Sequence, residues 1–82
     1  MKVKVKYFAS IREAIGQGSE SVETAAATCG DLRDELASRG DAYASLARGK
    51  AVRIALDQTM SPESAQLREG CEVAFFPPVT GG

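Results

Sequence analysis

Near its start the chain runs Lys2, Val3, Lys4, Val5, Lys6, Tyr7, alternating cation with apolar side chain at every step. A strand reverses side-chain direction at each residue, so this period of two puts Val3, Val5 and Tyr7 on one face and the lysines on the other. A helix would scatter the same residues around its circumference. The chain is thereby committed to a sheet with one buried face, and that face requires a covering layer. Phe8, one step past the alternation, falls on the lysine side. The lysine row itself reads as the solvated face of a half-buried strand in preference to a docking surface for an acidic partner.

Residues 10–15 read as one or two helical turns closed by Gly16, and Gln17 with Gly18 turns the chain into a weaker strand over residues 20–24. Thr28 followed by Asp31 fits a variant capping box. The i, i+4 pair Leu32 and Leu36 then supplies the apolar stripe of the main helix, about residues 29–38, before Gly40 stops it. Residues 41–46 add a short helical turn with Tyr43 and Leu46, and Gly49 releases the chain into a strand over residues 52–56. Residues 57–60 read as a turn with a short return strand, Ser61 and Pro62 as a loop, and Glu69 with Gly70 as a turn. In the last strand, residues 72–76, Val73 and Phe75 share a face and Phe76 takes the other. One principal helix over one sheet face is an α+β two-layer arrangement. The pattern leaves open whether the first and last strands pair parallel or antiparallel.

With 82 residues, 44% hydrophobic and 26% charged, the chain has the make-up of a single small globular domain. A formal charge of -1 gives no electrostatic footprint for nucleic acid. No apolar run approaches the roughly 20 residues that span a bilayer, and none follows Met1, so no nucleic-acid or membrane partner and a cytoplasmic location are expected. Cys29 and Cys71 lack Cys-x-x-Cys spacing and the chain has no histidine, so no metal site is expected. The missing histidine also removes the commonest general acid or base and the Ser-His and Cys-His nucleophile pairs. No catalytic side chain of its own is therefore expected, and the two cysteines read as small buried hydrophobes.

After residue 76 the character changes to Pro77, Pro78, Val79, Thr80, Gly81, Gly82, dividing the chain into a domain of residues 1–76 and a tail of residues 77–82. Two prolines and two β-branched residues favour an extended tail, which at full stretch reaches at most about 20 Å. Side-chain-free Gly81 and Gly82 can pass a channel too narrow for other residues and deliver a carboxylate to a buried centre. A bare carboxylate is inert as an acyl donor. Joined to AMP it becomes an electrophile that a sulfur nucleophile converts to a thiocarboxylate, and since the chain has no phosphate-binding glycine loop, a separate activating enzyme is implied.

The segment Glu72, Val73, Ala74, Phe75, Phe76, Pro77, Pro78, Val79, Thr80, Gly81, Gly82 resembles the C-terminal signature of the molybdopterin synthase small-subunit family. Lys6 to Glu13 also resembles that family's first strand and following turn, and Leu67 to Val73 its approach to the last strand. The resemblance implies a β-grasp, ubiquitin-like fold: a mixed sheet, first and last strands parallel and adjacent, one principal helix on one face, and an extended flexible tail. It implies that an ATP-dependent, ubiquitin-activating-like adenylyltransferase joins AMP to Gly82 and that a sulfur donor system makes the thiocarboxylate, with no cofactor permanently bound. It further implies that the large subunit receives the tail and passes sulfur to cyclic pyranopterin monophosphate, in a heterotetramer of two small and two large subunits. Phe8, Met60 and Phe76 match the family's apolar docking patch. Asp57 stands where the family often has asparagine, and either residue is expected to cap the turn through its own backbone.

Other pathways use related chemistry. A sulfur carrier for thiamine thiazole synthesis shares the fold and the diglycine, but the Phe-Phe-Pro-Pro approach argues against it. A ubiquitin-like modifier would use the same adenylate with an amine acceptor, and a plain interaction module would function without Gly81 and Gly82.

Overall fold

The fold, taken from a computed structural model that describes residues 1–78, is a five-stranded mixed sheet covered on one face by helices. In chain order the elements are β1 (Lys2–Tyr7), α1 (Ala9–Ile15), β2 (Ser19–Glu23), α2 (Cys29–Ala37), a 3-10 segment (Asp41–Leu46), β3 (Arg53–Leu56), β4 (Thr59–Met60) and β5 (Glu72–Phe76). The strands lie in the order β2-β1-β5-β3-β4. The question that the sequence pattern leaves open is answered by the β1–β5 pairing, which is parallel, with Lys4 opposite Glu72 and Tyr7 opposite Phe75. The neighbouring pairs, β1–β2, β3–β5 and β3–β4, are antiparallel.

The alternation of β1 does what its period dictates. Val3, Val5 and Tyr7 are buried, and Phe75 of β5 stacks beside Tyr7 with ring centroids 6.4 Å apart. The Thr28 hydroxyl accepts from the Asp31 amide at 3.1 Å, so α2 starts at the expected cap, with the Thr28 half of the capping box formed. Cys29, Leu32 and Leu36 then face the sheet at 0% exposure. At the end of α1, Gly16 takes φ 91, the left-handed cap that a residue with a Cβ adopts only at a cost.

A buried arginine locks the helical layer together. From α2, Arg33 donates through Nε to the Leu46 carbonyl at 2.7 Å and through Nη2 to the carbonyls of Ala47 and Lys50 at 3.0 and 2.7 Å. Its Nη1 pairs with Glu63 at 2.6 Å. Burying a guanidinium is unfavourable unless its donors are matched, and here they tie the 3-10 segment and the following loop to α2.

A second cluster joins strand to helical layer. Tyr7 Oη donates to Glu20 at 2.7 Å, Tyr43 Oη donates to the same carboxylate at 3.0 Å, and Arg39 pairs with it at 3.0 Å. Burial, and next the bond to Glu20, pushes the Tyr7 phenol far up, so it stays a donor. Burial also pushes the Glu20 carboxyl up, but the bonds from Tyr7, Arg39 and Tyr43 outweigh it and hold the group below its ordinary value. A lowered carboxyl adds stability above its unfolded value, about 4.3, and that stability is lost as acidification passes through the folded value. We expect Glu20→Gln to be less stable than the wild type near neutrality and to lose less on acidification to about pH 3, read from urea unfolding midpoints. Parallel pH curves for the two proteins would refute this.

Candidate functional site

The described part of the chain leaves the sheet beside the point where the first strand turns away. The Phe8 amide donates to the Phe75 carbonyl at 3.1 Å, extending the β1–β5 ladder by one residue and setting Phe8 next to Phe76. Their rings meet edge to face, with centroids 6.3 Å apart and planes at 85°. Ala9 then turns the chain into α1 at φ 52, a left-handed conformation costing about 1–2 kcal/mol for a residue with a Cβ. Phe8, Ala9, Phe76, Pro77 and Pro78 line an apolar groove of about 440 Å³, with Phe8 45% exposed. The two prolines are thus walls of the groove as well as a stiff exit, a role their sequence does not reveal.

Of the three residues matched to a docking patch, Phe8 and Phe76 come together. Met60, 53% exposed, lies on the same face of the sheet, opposite Ala55, but lines a neighbouring groove of about 280 Å³ with Val52, Arg53 and Ser61. Val79, Thr80, Gly81 and Gly82 lie outside the described residues. Ala55 and Ala74, opposite one another and only 8% and 7% exposed, form the floor between Met60 and Phe76. As alanines in short strands they carried no signal in the sequence.

Asp57 behaves differently from its expected role. The turn it shares with Gln58 has φ 49 and 69, matching a two-residue hairpin of the type that favours Asn, Asp and Gly. Its carboxylate does not bond its own backbone: Oδ1 accepts from the Glu72 amide at 3.0 Å and Oδ2 pairs with Arg68 at 3.0 Å. The side chain therefore fastens the β3–β4 turn to the start of β5. Cys29 and Cys71 are both buried, as small hydrophobes. Burial, and then its neighbour Cys71, pushes the Cys29 thiol up, which suppresses the reactive thiolate. Among the described residues no cluster of potential metal ligands occurs, and no helix is long and apolar enough to cross a membrane.

A helix laid across a mixed five-stranded sheet with parallel first and last strands side by side in its centre defines the ubiquitin-like β-grasp class. SAMP1 from Haloferax volcanii, whose crystal structure superposes with a TM-score of 0.81 over all of both chains, is 26% identical. The chain belongs to the ThiS family, whose model matches residues 5–82. It is 42% identical over 81 residues to the molybdopterin synthase sulfur carrier subunit of Haemophilus influenzae, covering 98% of this chain and 99% of that one. It is 38% identical over 80 residues to the protein of the same name from Escherichia coli, again covering 98% and 99%.

The groove and the core should separate energetically. Phe8→Ala removes a half-exposed ring and is expected to cost no more than about 1 kcal/mol, whereas Phe75→Ala empties a fully buried site and should cost about 3–5 kcal/mol. Urea unfolding of the two variants measures both. Equal losses would mean that Phe8 is a core residue.

Proposed function

We propose that this chain is the sulfur carrier subunit of a molybdopterin synthase, with the carboxyl group of Gly82 as the atom set that carries sulfur. Near-full-length identity of 42% and 38% to two relatives bearing that name is the observation that carries the reading. The aromatic groove at the foot of residues 77–82 supports it, because a tail that must enter another protein needs an apolar hold beside its exit.

In the proposed cycle a Gly82 carboxylate oxygen attacks the α-phosphate of ATP on a ubiquitin-activating-like adenylyltransferase, releasing pyrophosphate and leaving an acyl adenylate. A sulfur donor system supplies a nucleophile at the sulfide level, which attacks the acyl carbon and displaces AMP. The thiocarboxylate then enters the large subunit, and the C–S bond breaks as sulfur passes to cyclic pyranopterin monophosphate and water restores the carboxylate. Two carriers serve each dithiolene, consistent with an assembly of two small and two large subunits, and the cycle is assigned to the cytoplasm. This reading assigns the carrier no acid or base of its own. With no histidine in the chain and both thiols buried, proton transfer falls to the partners. Phe8 and Phe76, with Met60 on the same sheet face, are the proposed contacts with both partners.

Intact mass spectrometry of protein produced beside its activating enzyme should show a fraction heavier by one oxygen-for-sulfur exchange at the C terminus. Recovery of the unmodified carboxylate alone would count against sulfur carriage, and laddered conjugates on a denaturing gel would favour an amine acceptor. Appending one residue after Gly82 should abolish pterin conversion without changing the unfolding midpoint. Retained conversion would sink the terminal-carboxylate mechanism.

A further inference from the structure

The open face of the sheet carries an organised pattern of charge. The alternation that buries Val3, Val5 and Tyr7 sends Lys4 and Lys6 to the same side as Phe8, and the parallel register sets Lys4 opposite Glu72 and Lys6 opposite Ala74. On the far side of β5, Arg53 stands directly opposite Phe76, and Ala55 opposite Ala74. Met60 continues that last row on β4. An apolar strip, Met60, Ala55, Ala74, Phe76 and Phe8, thus crosses the face diagonally, with Lys4 and Lys6 along one flank and Arg53 on the other.

These cations are poorly compensated. Glu72 is the carboxylate set among them, and it pairs with Lys6 at 3.4 Å. Among the described residues Lys2, Lys4 and Arg53 of this face make no ion pair through their side chains; elsewhere Arg33, Arg39 and Arg48 are each matched to a carboxylate, and Arg12 and Lys50 are not. The chain as a whole has a formal charge of -1, so the positive excess of the sheet face is a local segregation, not a reflection of composition. An exposed aromatic and an exposed methionine joined by one apolar strip, with unpaired cations on both flanks, have the make-up of a contact surface. Three cations around an apolar strip, one of them paired to Glu72, are too few to track a phosphate backbone.

We propose that the proteins which receive this carrier seat on the sheet face with an apolar patch rimmed by carboxylates, which meet Lys4, Lys6 and Arg53. The cations steer the encounter and fix its register, while the Phe8–Phe76 groove supplies the hold. This rests on the sulfur-carrier reading, because it takes the adenylyltransferase and the large subunit as the proteins that bind.

The test uses the full-length chain and the adenylyltransferase and large subunit of the same organism, with association followed by stopped flow across a salt series. The double charge reversal Lys4→Glu with Arg53→Glu should slow association with both partners by about tenfold at low salt and flatten its salt dependence. Lys50→Glu, a cation of the loop before β3, should leave both unchanged. Unfolding midpoints and amide spectra of the variants confirm that the fold is kept. If wild-type protein binds both partners and the double reversal associates at the same rate, the electrostatic proposal is overturned while the carrier reading stands. If wild-type protein binds neither, both fall. Concentration-dependent self-association, or retention on phosphatidylserine vesicles or RNA, that is lost in the double reversal while partner binding is not would assign the face to another occupant and overturn the proposal.

Discussion

The side-by-side pairing of β1 with β5 is the constraint on which the rest of the molecule depends. These strands come from opposite ends of the sequence, and their register puts residues 4–7 against residues 72–75. The ladder is bounded by the Lys4 amide donating to the Cys71 carbonyl at 2.9 Å and the Phe8 amide to the Phe75 carbonyl at 3.1 Å. Because the strands run the same way, both leave the sheet at the same end. Because their side chains alternate in phase, Phe8 and Phe76 emerge on the same face. A slip of one residue would turn Val73 and Phe75 outward and separate the two aromatics, so core and groove are specified by the same register.

The helical layer makes that sheet one-sided. Leu32 and Leu36 cover the apolar face, and Arg33 gathers the 3-10 segment and its loop onto α2 through three carbonyls. Ion pairs such as Arg33 with Glu63 and Arg48 with Asp34 reinforce that layer. On the opposite face the same chain leaves Lys4 and Arg53 unmatched beside Phe76. The longer network of polar contacts thus lies on the helical side, while the sheet face sets two unpaired cations beside its apolar strip.

Local signals were readable from the sequence. The β1 alternation, the Thr28 cap, the Asp57–Gln58 turn and the Val73–Phe75 face depend on neighbours within a few residues, and all appear with boundaries shifted by a residue or so. Pairing direction was not readable, since periodicity is the same in parallel and antiparallel strands. Phe8 and Phe76 stood out because each broke the core pattern, but their contact follows from the β1–β5 register. The roles of Ala9, Ala55, Ala74 and Arg53 were invisible because small or charged residues gain meaning there only from what lies across the sheet. Asp57 shows the same limit: its residue type announced a turn, while its partner, the Glu72 amide, lies 15 residues away.

The central position of β5 has a mechanical consequence. It is gripped on one side by β1 and on the other by β3, and it runs directly into Pro77 and Pro78. The component of a pull on that exit that lies along β5 loads both rows of hydrogen bonds in shear, all together, instead of peeling them apart in sequence. The domain is thus built as an anchor: a neighbour can haul on the segment beyond Pro78, or hold it taut, and the strain ends at the sheet.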